Sequence, residues 1–242
     1  MKKVTLSMRL AYAGLALWFA MVGCGLLTTS INDVKTESQT VDVDSATSAN
    51  IEIEFPAGEL KVQSGSSNLM DASFRYNVRD WQPRVQYSEN GTQGVLQVSQ
   101  PGDNRVPVGG NLVNEWEIVL SENVPMELLI RTGAGNSQLD LGGLNMNSLT
   151  VETGAGVTTV NLDGNWEHDV DVSITGGVGE LTVNLPAEMG VRVIKETALV
   201  SVSADGLIVD GNGYINRAFE TAPHMLTLNL QAGLGSVVLV AP

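Results

Sequence analysis

The chain has 242 residues, with 13 lysines and arginines against 27 aspartates and glutamates, for a formal net charge of −14. Such a balance repels nucleic acid and anionic lipid headgroups, which removes both from the expected partners. A single cysteine excludes an intramolecular disulfide and any cysteine-based metal cluster.

The first 23 residues read as a secretion signal: Lys2, Lys3 and Arg9 form a basic start, and an apolar run from Leu10 to Val22 follows. The run is short for a membrane span. It ends in Met21-Val-Gly-Cys24, where a small-residue cleavage site belongs. Those four residues resemble the bacterial lipobox, which implies cleavage before Cys24 and acylation of its thiol. The expected localisation is therefore extracytoplasmic, with the chain anchored to the cell membrane through Cys24. Cleavage would remove three cations and no acid, leaving ten against 27 and a formal charge of −17.

Residues 24–50 are rich in Ser, Thr and Asp and hold no sustained period, so they read as a flexible tether. Residues 51–125 carry alternating strands separated by turn residues. Ile51, Ile53 and Phe55 alternate with polar neighbours, as do Phe74 and Tyr76, Leu96 and Val98, and Trp116, Ile118 and Leu120. Asn90-Gly91 and Pro101-Gly102 mark turns. This stretch reads as an antiparallel sheet that caps what comes next.

Residues 126–242 repeat one phrase, a glycine pair followed by alternating apolar residues. The copies are Gly133-Ala-Gly135 leading to Leu139 and Leu141, Gly154-Ala-Gly156 to Val160 and Leu162, and Gly177-Val-Gly179 to Val183 and Leu185. Their second glycines lie 21 and 23 residues apart, a period at which each unit buries its apolar face only by stacking on the next. Leu199-Val200 falls where a fourth pair is due, and Gly233-Leu-Gly235 closes the series after an insertion around residues 205–224. Each unit is expected to be two strands joined by a glycine turn, with the glycines stacked along one edge. The fold class is then all-β: a single-stranded β-solenoid-like stack of short strands with Gly-rich turns, capped by the N-terminal antiparallel sheet.

A nucleotide site is not expected from these glycines, because the third glycine of the dinucleotide fingerprint is missing and a strand follows where a helix is needed. A calcium-binding nonapeptide is also excluded, since Leu181 stands where an aspartate ligand belongs.

The phrases Phe55-Pro-Ala-Gly-Glu-Leu-Lys-Val62, Phe74-Arg-Tyr-Asn-Val78, Asn114-Glu-Trp-Glu-Ile118 and Trp166-Glu-His-Asp-Val-Asp-Val172, together with the glycine repeats, resemble the toast-rack family. These are adhesin-like bacterial cell-surface proteins related to domains of envelope-stress regulators. The resemblance spans roughly residues 51–240. It implies the fold and a surface location, and it supplies no catalytic residues. Leu199-Val200 departs from the family pattern, in which the glycines are kept.

Candidate chemistry is sparse. His168 lies among Asp163, Glu167, Asp169 and Asp171, but alternation puts the three later acids on one solvated face without a closing ligand, so no metal is expected. His224, in the insertion, has no evident partner. No serine lies in Gly-x-Ser-x-Gly, and no catalytic or cofactor-binding residue is assigned. Trp116 alternates inward, whereas Trp81, beside Asp80 and ahead of Pro83, is expected at the surface. A shallow groove is expected where the N-terminal sheet meets the first repeat, near Trp81, Asn114 and Arg131.

The function that follows is a non-enzymatic, lipid-anchored envelope protein that presents a β-solenoid surface for adhesion or for contact with another envelope protein or a neutral wall polymer. The alternative is a regulatory partner of a membrane signalling protein. A polysaccharide-active enzyme ranks third.

Overall fold

The computed structural model describes residues 31–102, 110–164 and 166–242. The signal segment and Cys24 lie outside the described residues. The chain forms β1 (Ile31–Val41), β2 (Ser48–Ser66), β3 (Met70–Val78), β4 (Arg84–Asn90), β5 (Gln93–Ser99), β6 (Asn114–Ser121), β7 (Met126–Asp140) and β8 (Met146–Asn161). β9 (Val170–Asn184), β10 (Gly190–Asp205), β11 (Ile208–Asp210), β12 (Gly213–Ile215) and β13 (Met225–Val240) complete it. All thirteen belong to one open sheet.

Six strands of 15 to 19 residues carry the architecture, side by side and parallel in the order β2-β7-β8-β9-β13-β10. The first five bend at a glycine, so that two arms fold their inward residues over one interior. In β8 the buried residues are Met146, Leu149 and Val151 on the first arm and Thr158 and Val160 on the second. Gly154-Ala-Gly156 lies exposed between the arms. Across the sheet these positions stack in columns. Leu128, Leu149, Val172 and Leu228 form one, and Leu139, Val160, Val183 and Leu239 another, all buried. A fully buried Leu or Val contributes roughly 1.5–3 kcal/mol, so the columns supply most of the driving force.

The bend explains the glycines. Gly58, Gly135, Gly156, Gly179 and Gly235 pair in register as one column, and each has a φ between 126° and 143°. A Cβ on Gly156 would stand 1.9 Å from the carbonyl oxygen of Gly135. Only a residue without a side chain lets neighbouring strands bend at that spacing. Where two strands joined by a turn are expected, the structure has one strand running through the glycines, with ladder pairing continuing on both sides of the bend. Val200 keeps the register opposite Gly235.

Stacking follows chain order from β7 to β9 and then departs from it. β13 takes the place next to β9, and β10 lies outside β13. Composition agrees: β13 carries no charged residue, while β10 carries Arg192, Lys195, Glu196 and Asp205. The interior position suits the uncharged strand.

At the other end the sheet forks. The first arm of β2 pairs in parallel with β5, and its second arm with β6. The antiparallel cap is therefore β1, β3 and β6 on one branch and the β4–β5 hairpin on the other. Part of the expected tether is structure instead, because β1 pairs with β3 from Ile31↔Val78 to Val41↔Met70, with a register shift between Ile31 and Lys35. Asp71 reinforces that junction by accepting from Ser66 Oγ (2.6 Å), Thr40 Oγ1 (2.7 Å) and Asn68 Nδ2 (3.1 Å). The Ser66 and Thr40 hydroxyls hold its carboxyl below the usual range.

Candidate functional site

Alternation along β2, β7 and β8 turns Glu52, Glu54, Arg131 and Glu152 to the outside of the first arms. Register sets Glu54 beside Arg131 and Arg131 beside Glu152. The guanidinium takes all three neighbours: Nη1 bonds Glu52 and reaches Glu54 at 3.2 Å, and Nε donates to Glu152 at 3.0 Å. Burial alone would lower the Arg131 pKa, but the hydrogen bonds to Glu152 and Glu52 outweigh it and raise it. Gln97 Nε2 donates to Glu52 at 3.3 Å, tying the β4–β5 branch to the same cluster. Glu52, Gln97, Arg131 and Glu152 line an open groove of about 590 Å3 together with Asn50 and Glu127.

A second groove, of about 620 Å3, lies on the outer side of the second arms. Lys61, Arg75, Glu115 and Glu117 line it, with Asn136 and Gln138 from β7. Lys61 pairs with Glu117 at 3.6 Å, and Arg75 bonds Glu115. Both grooves sit where the branches diverge from β2, because two branches leaving one bent strand cannot keep the sheet flat. Their linings mix amides, hydroxyls and ion pairs with apolar side chains, among them Val95 and Leu129 in the first and Val157 in the second. Such surfaces offer many shallow polar contacts to an extended partner.

The residues expected around one groove are separated. Arg131 lines the first-arm groove. Asn114 is 5% exposed at the Gly58 bend, where its Nδ2 donates to the Ala57 carbonyl at 2.6 Å and to Gln100 Oε1 at 2.8 Å. Trp81, expected at the surface, is also only 5% exposed. It ends a single 3-10 turn (residues 79–81) that folds its ring into the core. Trp116 is inward as expected, packed between Phe55 at 5.0 Å and Phe74 at 5.2 Å.

The histidines do not meet. His168 is half-buried, with Nε2 2.9 Å from the Met146 carbonyl. His224 has a partner that local sequence did not indicate, Asp169, 3.8 Å from its Nδ1. Asp169 also accepts the Met225 N–H at 2.8 Å, so it caps the start of β13. The two residues are brought together by β9–β13 pairing across 55 positions of sequence, a distance over which no local pattern speaks. Among the described residues no group of three or more His, Cys, Asp or Glu is arranged to hold a metal ion. Among them, too, no helix is long and apolar enough to cross a membrane.

Residues 30–184 match the family described as the N-terminal domain of toast_rack, DUF2154. The fold is similar to the crystal structure of a "putative cell adhesion protein" from Clostridium sporogenes. That chain is 33% identical, with a TM-score of 0.82, and the match covers 85% of this chain and 98% of the other. A "putative adhesin" from Bacteroides fragilis aligns at 11% identity over 86% of this chain and 97% of the other, with a TM-score of 0.32. No curated protein matches. The family match covers more than half of the sequence and the Clostridium relative nearly all of the fold: the chain belongs to the toast-rack family.

Proposed function

We propose that this chain is a non-enzymatic protein of the bacterial cell envelope, anchored by a lipid on Cys24, that displays its bent sheet to another envelope protein or a neutral wall polymer. The observation that carries the reading is the 33% identity, across nearly the whole fold, to a protein described as a "putative cell adhesion protein". The two grooves fit it. Both are net acidic, with Arg131 against Glu52, Glu127 and Glu152 in the first and Lys61 and Arg75 against Glu59, Glu115 and Glu117 in the second, which disfavours an anionic partner. The acidic balance of the chain points the same way, against an anionic polymer.

Two measurements test the two parts of the reading. Cys24→Ser should release the protein from the membrane fraction or leave it uncleaved; a variant of mature mass that still sediments with membranes removes the anchor. Crosslinking of intact cells, followed by purification of the protein, should recover a neutral wall polymer or a non-signalling envelope protein. Recovery of a membrane signalling protein would replace adhesion with regulation. Hydrolysis of a neutral glycan by the purified protein, lost on changing a groove carboxylate, would refute the non-enzymatic reading.

A further inference from the structure

The two ends of the sheet are finished differently. At the N-terminal end the outermost strands are β1, with Asp33, Lys35 and Glu37, and β4, with Arg84 and Glu89. Charges of this kind are how natural sheets keep an edge from pairing. At the other end β10 is covered on its first arm only. There β12 pairs with Arg192–Ile194, Arg192 stacks on Phe219, and Lys195 lies over Tyr214. The second arm, from Leu199 to Asp205, pairs with β13 on one side and with no strand among the described residues on the other.

That free edge reads Leu-Val-Ser-Val-Ser-Ala-Asp, with no charge, proline or glycine before its last residue. Val202 and Ala204 extend the buried columns that contain Val237 and Leu239, yet they are only half-buried because nothing stacks beyond them. Leu199 is 77% exposed, and it stands in register with Leu234 and Val178, 52% and 55% exposed. An edge with open backbone groups, unfinished apolar columns and an adjoining apolar ridge is a template for another strand.

Charge and register identify the strand. The chain carries a formal −14, but β13 has no charged residue and β10 has two cations and two anions. The repulsion that keeps copies apart elsewhere is missing here. The edge is also self-complementary. Antiparallel pairing about Val202 puts Val200 opposite Ala204, Ser201 opposite Ser203 and Val202 opposite itself. Inward residues then continue the inward columns, and hydroxyls face hydroxyls. The two copies of Asp205 lie at opposite ends, about 20 Å apart at roughly 3.4 Å per residue. We propose that the second arm of β10 is a homodimer interface, at which two copies pair antiparallel through residues 199–205 and extend the sheet from one molecule into the next.

Cysteine crosslinking in membranes of cells producing the full chain tests this. Val202→Cys should give an oxidant-dependent dimer above the background set by Cys24 in the parent. Thr150→Cys, on the outer face of β8, should not. Co-produced Ser201→Cys and Ser203→Cys chains should crosslink to each other more than either does to itself, which reports the register. Adding Ser201→Lys with Ser203→Lys to the Val202→Cys chain places lysine opposite lysine at two exposed positions, and the dimer band should be lost. A Val202→Cys chain with no dimer above background overturns the proposal, whatever the lysine variant does. So does a dimer that survives the lysines.

Discussion

Replacing Gly179 by alanine tests the reason this fold repeats glycine at all. Gly179 has φ +143°, a region that L-residues occupy only at a cost of about 1–3 kcal/mol. Its new Cβ would stand 1.9 Å from the Gly156 carbonyl oxygen, so the backbone of one strand must move off its neighbour. Displacing that carbonyl loses one or two ladder hydrogen bonds, at about 1 kcal/mol each. The sum is roughly 2–5 kcal/mol, a large part of the ~5–15 kcal/mol that holds a domain folded. Gly176 lies three residues earlier in the same strand, without positive φ, and a Cβ there would meet no atom closer than 3.8 Å. Gly176→Ala should therefore change stability by less than about 1 kcal/mol, and can gain through the reduced entropy of the unfolded chain. Urea unfolding followed by tryptophan fluorescence suits the comparison, because Trp81, Trp116 and Trp166 are all buried. Equal losses for the two variants would refute the bend argument, as would a Gly179→Ala protein as stable as the parent.

Two further perturbations follow from the same structure. Burial and the 2.5 Å hydrogen bond to Glu37 push the Tyr76 phenol up to about 12, from an ordinary 10. A raised folded-state pKa contributes stability that is complete below pH 10 and is lost as pH climbs to about 12. Unfolding measured across that window should show the loss in the parent and a flatter profile in Tyr76→Phe; parallel profiles would remove the assignment. Arg131→Ala leaves Glu52, Glu54 and Glu152 facing one another, but Arg131 is 41% exposed and solvent screens the site. The expected loss is under about 1 kcal/mol. It should shrink in about 1 M salt, where the screening length falls to about 3 Å; a larger or salt-independent loss would mean that packing, not charge, dominates there.

How much was legible depends on how far apart in sequence the cause lies. The repeat spacing placed Val200 opposite Gly235 even though its glycines are lost, because the alternation before and after it holds the register. Trp116 reads inward from its own neighbours. Trp81 did not read correctly: its polar neighbours describe the chain surface, and its ring is buried by a 3-10 turn that alternation does not encode. The groove residues divided in the same way. Arg131 shows its charge locally, but its three carboxylate partners come from strands 21 to 79 positions away. His224 and Asp169 meet only because β13 pairs with β9.

The sequence by itself determined the all-β class, the alternating interior and the need for a residue without a Cβ at each bend, since these follow from period-two geometry and local sterics. Tertiary structure alone decided that β1 belongs to the sheet, that β2 forks between β5 and β6, and that β13 enters between β9 and β10. Strand order is a choice among edges of nearly equal local chemistry. It is settled by which arrangement buries the uncharged strand and leaves the charged one outside, a comparison that exists only once all the strands are present together.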